Sequence, residues 1–123
     1  MKELTIYVPQ EKLFEVTEIL HKHDVIGLTF TEVMGSGRTK HDPIPEAVRS
    51  YMYGKMIIPE FVKRSKVETV VPDSAVKAIV DDIMNNLKTG KDAHGYIFVK
   101  EVSDAFDIGS KLRGEDVLKQ SVQ

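Results

Sequence analysis

No cysteine occurs among the 123 residues, which excludes disulfides and zinc–thiolate centres and fits a reducing cytoplasm. No apolar run is long enough to span a bilayer, so no membrane insertion is expected. The opening MKELTIYVPQEKL turns charged too early for a secretory signal. Excess charge of one sign is also missing. With 17 basic and 19 acidic residues the net charge is −2, so nothing general draws the chain to nucleic acid or to a membrane surface. Any anion site has to be local. No nucleophile–base pair and no paired acids stand at a recognisable spacing, so an enzyme is not expected. What remains, 41% apolar and 29% charged residues, suits one soluble domain spanning 1–123 with one modest core.

The chain repeats a plan. LTIYVPQEKLFEVTEILHKHDVIGLTFTEV (4–33) and VETVVPDSAVKAIVDDIMNNLKTGKDAHGYIFVKEV (67–102) each run strand, Val-Pro, helix, glycine, strand. Proline holds the residue before it extended and has a φ that suits the start of a helix. Asp73 adds negative charge at the second helix's positive end. Leu13, Val16 and Leu20, with Thr17 and Ile19 at the edges, stripe the first helix. Val76, Ile79, Val80, Ile83 and Leu87 stripe the second. Strands are predicted at Leu4–Val8, Ile26–Val33, Lys66–Val71 and Tyr96–Val99, where β-branched and aromatic residues gather. The fold class is therefore α+β, a ferredoxin-like βαββαβ. Right-handed crossovers put both helices on one sheet face. Ile6, Leu28, Phe30 and Phe98 are candidates to line the other face, whose burial predicts an oligomer.

Between the halves, GSGRTKHDPIPEAVRSYMYGKMIIPE (35–60) far exceeds a hairpin connection. Tyr51, Met52, Tyr53, Met56, Ile57 and Ile58 suit either packing on the chain's own body or meeting a partner.

TEVMGSGRTK (31–40), KVETVVPD (66–73), KTGKDAHGYIFV (88–99) and LRGEDVL (112–118) together resemble the PII signal-transduction proteins. The resemblance implies a homotrimer with adenine-nucleotide sites in the clefts between subunits. It implies a T-loop at about 37–60 that docks on an ammonium transporter or a nitrogen-metabolism enzyme. It also implies a B-loop at about 88–95 and a C-terminal tail at about 103–123. By position, Ile6, Thr29, Gly35, Ser36, Gly37, Arg38, Glu68 and Val70 would hold the nucleotide, with Gly90, Lys91, Ala93, His94, Gly95 and Tyr96 on the phosphate side. Glycines allow close backbone approach, and a concave run of N–H groups binds anions.

The departures reduce charge. Thr39 stands where the family has a glutamine that helps hold Mg2+ and 2-oxoglutarate, so a tight Mg2+ site is not expected. Tyr96 replaces a phosphate-directed lysine, and Asp107 and Gly109 replace two arginines. Arg64 approximately matches the lysine that pairs with 2-oxoglutarate, and its fork could hold a carboxylate. Charge-assisted hydrogen bonds are worth roughly 1.5–3 kcal/mol each, so losing two or three weakens triphosphate binding by about 3–6 kcal/mol, or two to four decades. AMP, ADP or a cyclic adenylate should be favoured over Mg-ATP, as a regulatory ligand and not a tightly bound cofactor. Lys111, Arg113 and His94 are the cations that could restore the charge.

His21 and His23 point to different sides of a helix end, and His41-Asp42 reads as solvated loop, so no metal site is expected. Asp81-Asp82 and Glu115-Asp116 read as solvated faces. Arg49, Tyr51 and Tyr53 are candidates for the partner loop, the tyrosines for docking or for modification. Two alternatives stay open. One is a relative sensing bicarbonate or another small anion beside AMP or ADP through Arg38, Arg64 and His94. The other is a nonsensing structural or metal-binding trimer.

Overall fold

A computed structural model describes residues 1–25, 27–36, 61–87 and 95–119. Strand β1 (Lys2–Pro9) leads through a short 3-10 turn into helix α1 (Leu13–Lys22), followed by β2 (Thr29–Ser36) and β3 (Phe61–Val71). Helix α2 (Asp73–Asn86) and β4 (Tyr96–Glu101) follow, then a 3-10 segment at Gly114–Lys119. The strands form one antiparallel sheet in the order β2-β3-β1-β4, the expected ferredoxin-like arrangement.

Strand alternation decides which residues meet the helices. Leu4, Ile6 and Val8 of β1 and Val67 and Val71 of β3 pack with Val16 and Leu20 of α1 and Ile79 and Ile83 of α2. Both apolar stripes therefore land where the sequence puts them. Pro72, extended at ψ 150°, ends β3 and hands over to α2 at Asp73, as the Val-Pro junction implies. At the first junction β1 runs on through Pro9, and α1 proper waits until Leu13.

The open face needs correction. It carries Thr29, Glu68, Thr5 and Phe98 in one cross-strand row and Thr31, Lys66, Tyr7 and Tyr96 in the next. Of the four residues assigned to it from sequence, only Phe98 is there. Ile6 faces the helices and is fully buried. Leu28 packs against the same core, and Phe30 sits in register with the core residue Val67, on the helix side of an edge strand. Strand limits differ as well. β2 starts at Thr29, not Ile26, and β3 begins at Phe61, five residues before the expected Lys66. Lys63 and Arg64 pair with Met34 and Val33, and the β2–β3 ladder runs down to Ser36 opposite Phe61.

Candidate functional site

Three of the sequence-assigned residues share one cavity. Thr29 at the start of β2 and Glu68 and Val70 on β3 line a space of about 580 Å³, together with Glu3, His23, Asp24 and Asp107. Leu28, Val71, Pro72 and Ala75, with Val117 and Leu118 of the 3-10 segment, supply apolar wall. The Thr29–Glu68 pairing fixes the first two side by side on the same sheet face. Thr69 stiffens the mouth by donating its hydroxyl to the Gly27 carbonyl at 2.6 Å.

Gly95 and Tyr96 lie elsewhere. They line a second, apolar cavity of about 150 Å³ with Val8, Ile83, Met84 and Leu87, and buried Ile6 forms part of its wall. β3 and β1 stand between β2 and β4, so roughly 14 Å of sheet separates the two groups within one chain at about 4.8 Å per strand. Gly95 has a packing reason to be glycine. A Cβ there would lie 2.8 Å from the backbone carbonyl oxygen of Tyr7, which no flexible side chain can relieve. Gly95→Ala should push β4 from β1 and lower the thermal midpoint by several degrees, on the order of 1–3 kcal/mol for an overpacked contact. Differential scanning calorimetry reads this directly.

Gly35 and Ser36 sit at the far end of β2, paired with Val62 and Phe61. A Cβ on Gly35 would meet the Cδ and Nε of Arg64 at 3.5 Å, so the Arg64 side chain crosses over that glycine and is itself buried. Arg113 is occupied. Its guanidinium donates to the Asp104 carboxylate from Nε at 3.1 Å and Nη2 at 2.9 Å and lies 5.1 Å from the Phe106 ring centroid. Arg113 in turn holds the Asp104 carboxyl below its ordinary range. Asp107 closes a turn, accepting the backbone N–H groups of Gly109 at 2.8 Å and Ser110 at 3.3 Å. Lys111 follows with a left-handed φ of 67° and is exposed. Tyr96 stacks on Phe98 with centroids 6.1 Å apart, and Tyr7 meets Phe98 edge-on at 6.0 Å. Gly37, Arg38, Thr39, Arg49, Tyr51, Tyr53, Gly90, Lys91, Ala93 and His94 lie outside the described residues.

Sequence reasoning missed one cluster. Asp82, read as solvated, is buried, with 8% of its surface exposed. Its Oδ2 lies 2.7 Å from His23 Nε2 and 2.8 Å from Lys22 Nζ, and its Oδ1 accepts from Asn86 Nδ2 at 2.7 Å. The reason is angular. Asp82 is three residues beyond Ile79 and one before Ile83, both buried, so it borders the buried stripe where α1 crosses. Neighbouring Asp81 points outward to Lys77. The Lys22 ammonium, then the Asn86 amide and the His23 ring, hold the Asp82 carboxyl well below its ordinary value of 3.8. A depressed carboxyl contributes stability above its unfolded pKa, and that contribution fades as pH falls through the folded value. Asp82→Asn should therefore cost stability at neutral pH and flatten the acid-side slope between about pH 4 and 2. Urea melts across that range check it.

The wider likeness agrees with the cavity-lining strands. The family model for nitrogen regulatory protein P-II matches residues 1–111. The chain belongs to the nitrogen regulatory protein P-II family. A P-II protein of Rhodospirillum rubrum is 32% identical over 118 residues, covering 96% of this chain and all of its own. One from Cereibacter sphaeroides is 35% identical over the same share of each. The P-II 1 protein of Escherichia coli is 37% identical over 103 residues, 84% of this chain and 87% of its own. The P-II match includes Thr29, Glu68, Val70, Gly95 and Tyr96 and ends at residue 111, just past the turn that Asp107 closes. Among the described residues no helix is long and apolar enough to cross a membrane.

Proposed function

We propose that this P-II family member is a signal-transduction regulator that binds AMP, ADP or a cyclic adenylate between subunits of a homotrimer and controls a partner in nitrogen metabolism. The observation that carries the proposal is the shared cavity of Thr29, Glu68 and Val70. Its apolar walls suit a flat base, and Glu68 and Thr29 suit ribose and base-edge hydrogen bonds. The separation of this cavity from Gly95 and Tyr96 supports a site completed by a second copy. One nucleotide can meet both groups when the β4 end of a neighbour is laid against β2 and β3. The lining also supports a ligand of low negative charge. Among the described lining residues the charged groups are Glu3, Asp24, Glu68 and Asp107, with no lysine or arginine.

The regulator acts by binding, not by catalysis. Nucleotide binding biases the surface offered by residues 37–60, so the ligand works through its different affinities for two states of that surface. An ammonium transporter or a nitrogen-metabolism enzyme is the partner class. Glu68→Gln tests the cavity. It should weaken AMP binding about tenfold, the value of one hydrogen bond to a charged group, while leaving the thermal midpoint within a degree or two. Equilibrium dialysis with labelled AMP measures the change, and unaltered binding would remove the cavity from the site.

A further inference from the structure

We infer that Asp82 is a positioning residue for the large cavity: from the helix layer it holds His23 and, through it, the α1–β2 turn that forms one wall. The inference rests on the nucleotide reading and extends it to a residue outside the cavity. His23, Asp24, Val25, Gly27, Leu28 and Thr29 run along one side of that space, and Asp82 is not part of its lining. The turn that carries them is tied down at three points. The Val25 N–H donates at 3.0 Å to the carbonyl of Leu20, a fully buried core residue. The Gly27 carbonyl accepts from the Thr69 hydroxyl of β3 at 2.6 Å. The His23 ring meets the Asp82 carboxylate of α2, Nε2 to Oδ2, at 2.7 Å. Between these ties Asp24 sits at a left-handed φ of 63°, a conformation sparsely used outside glycine and sustained here from both sides.

Asp82 is itself well fixed. It is buried, and its Oδ1 accepts from the Asn86 amide one helical turn along at 2.7 Å, which sets the plane of the carboxylate. Its Oδ2 then serves two neighbours at the end of α1, His23 and Lys22, the latter at 2.8 Å. The two partners hold different things. The Lys22 side chain is 65% exposed, sits on a flexible stem and does not line the cavity, so its ion pair ties the helix end alone. His23 has a short, stiff ring and belongs to the wall, so its bond to a buried carboxylate fixes where the wall begins. Coupling of this kind is reciprocal. What the tie to α2 gives the bound ligand, the ligand gives back to α2.

The experiment compares AMP binding by the full chain, Asp82→Leu and Lys22→Ala, at a temperature where circular dichroism shows each one folded. Asp82→Leu fills the space without an acceptor and should weaken binding about tenfold, the loss of a single charge-assisted hydrogen bond. Lys22→Ala removes the other partner of the same oxygen. It should lower the thermal midpoint slightly and keep the affinity within about twofold of wild type. A simple brace between the helices would lower both midpoints and leave both affinities alone. That result, or equal weakening in the two variants, overturns the inference and leaves the nucleotide site standing. Hydrogen exchange in the wild type decides the matter if Asp82→Leu fails to fold. Saturating AMP should slow exchange at Val25 and also at the Leu87 N–H, which closes the last turn of α2 on the Ile83 carbonyl. Protection confined to the wall itself, with Leu87 unaffected, would contradict a tie through Asp82. Binding of neither AMP nor ADP by the wild type removes the nucleotide reading and the inference together.

Discussion

Replacing Tyr96 with lysine and Gly109 with arginine should raise the affinity for ATP about a hundredfold and change that for AMP by less than threefold. Each substitution restores a cation where the P-II resemblance places one along the phosphates. Two charge-assisted hydrogen bonds at the lower end of their range supply about 3 kcal/mol, which is two decades. Both positions can take the change. Tyr96 is 50% exposed, and its loss costs a stacking contact with Phe98 of about 0.5–1.5 kcal/mol. At Gly109 a Cβ would meet only the Asp107 carboxylate, at an ordinary 3.5 Å. Asp107 itself is left in place because its Oδ1 holds the 107–110 turn. Fluorescence competition with ATP and AMP reads the two affinities. An unchanged ATP affinity in a folded double variant would mean that the phosphates run elsewhere.

Phe98→Glu should turn the proposed homotrimer into monomers. One face of the sheet packs against both helices, and the other carries Tyr7, Tyr96 and Phe98. On that face Phe98 is 51% exposed beside half-exposed Tyr96, with Tyr7 packed against Phe98. A two-layer domain leaves such a face apolar only when another surface covers it. A carboxylate at position 98 has to be desolvated in any such interface, and two to three of them converge in a symmetric one. Sedimentation equilibrium should give three chains for the wild type and one for the variant. A variant that stays trimeric would place the contact on another face.

The order of elements was legible because it is written twice. Val-Pro before each helix, stripes at helical spacing and β-branched strands are local signals, and they agree with one another. Face assignment was harder. In β2 a shift of one residue in phase exchanges Phe30 for Thr29 and Thr31, and FTEV carries too little alternation to fix the phase. Glu68, Thr29 and Val70 were found through the family's pattern, and their shared cavity follows from the β2–β3 register. His23 and Asp82 could not be found that way. They lie 59 residues apart, and only the crossing of α1 over α2 joins them. An Asp-Asp pair on a helix reads as surface until its neighbour on the next helix is known. The sole hint was that Asp82 stands three residues from Ile79, at the border of the apolar stripe.

Calorimetric titration of the purified chain with AMP, ADP, ATP, cyclic AMP and Mg-ATP, each with and without 2-oxoglutarate, bears most directly on what the protein senses. Tight binding of AMP, ADP or cyclic AMP, weaker Mg-ATP and no response to 2-oxoglutarate is the expected result. Tight Mg-ATP binding strengthened by 2-oxoglutarate would contradict it, and would mean that the cations missing at positions 96, 107 and 109 are supplied from elsewhere in the assembly.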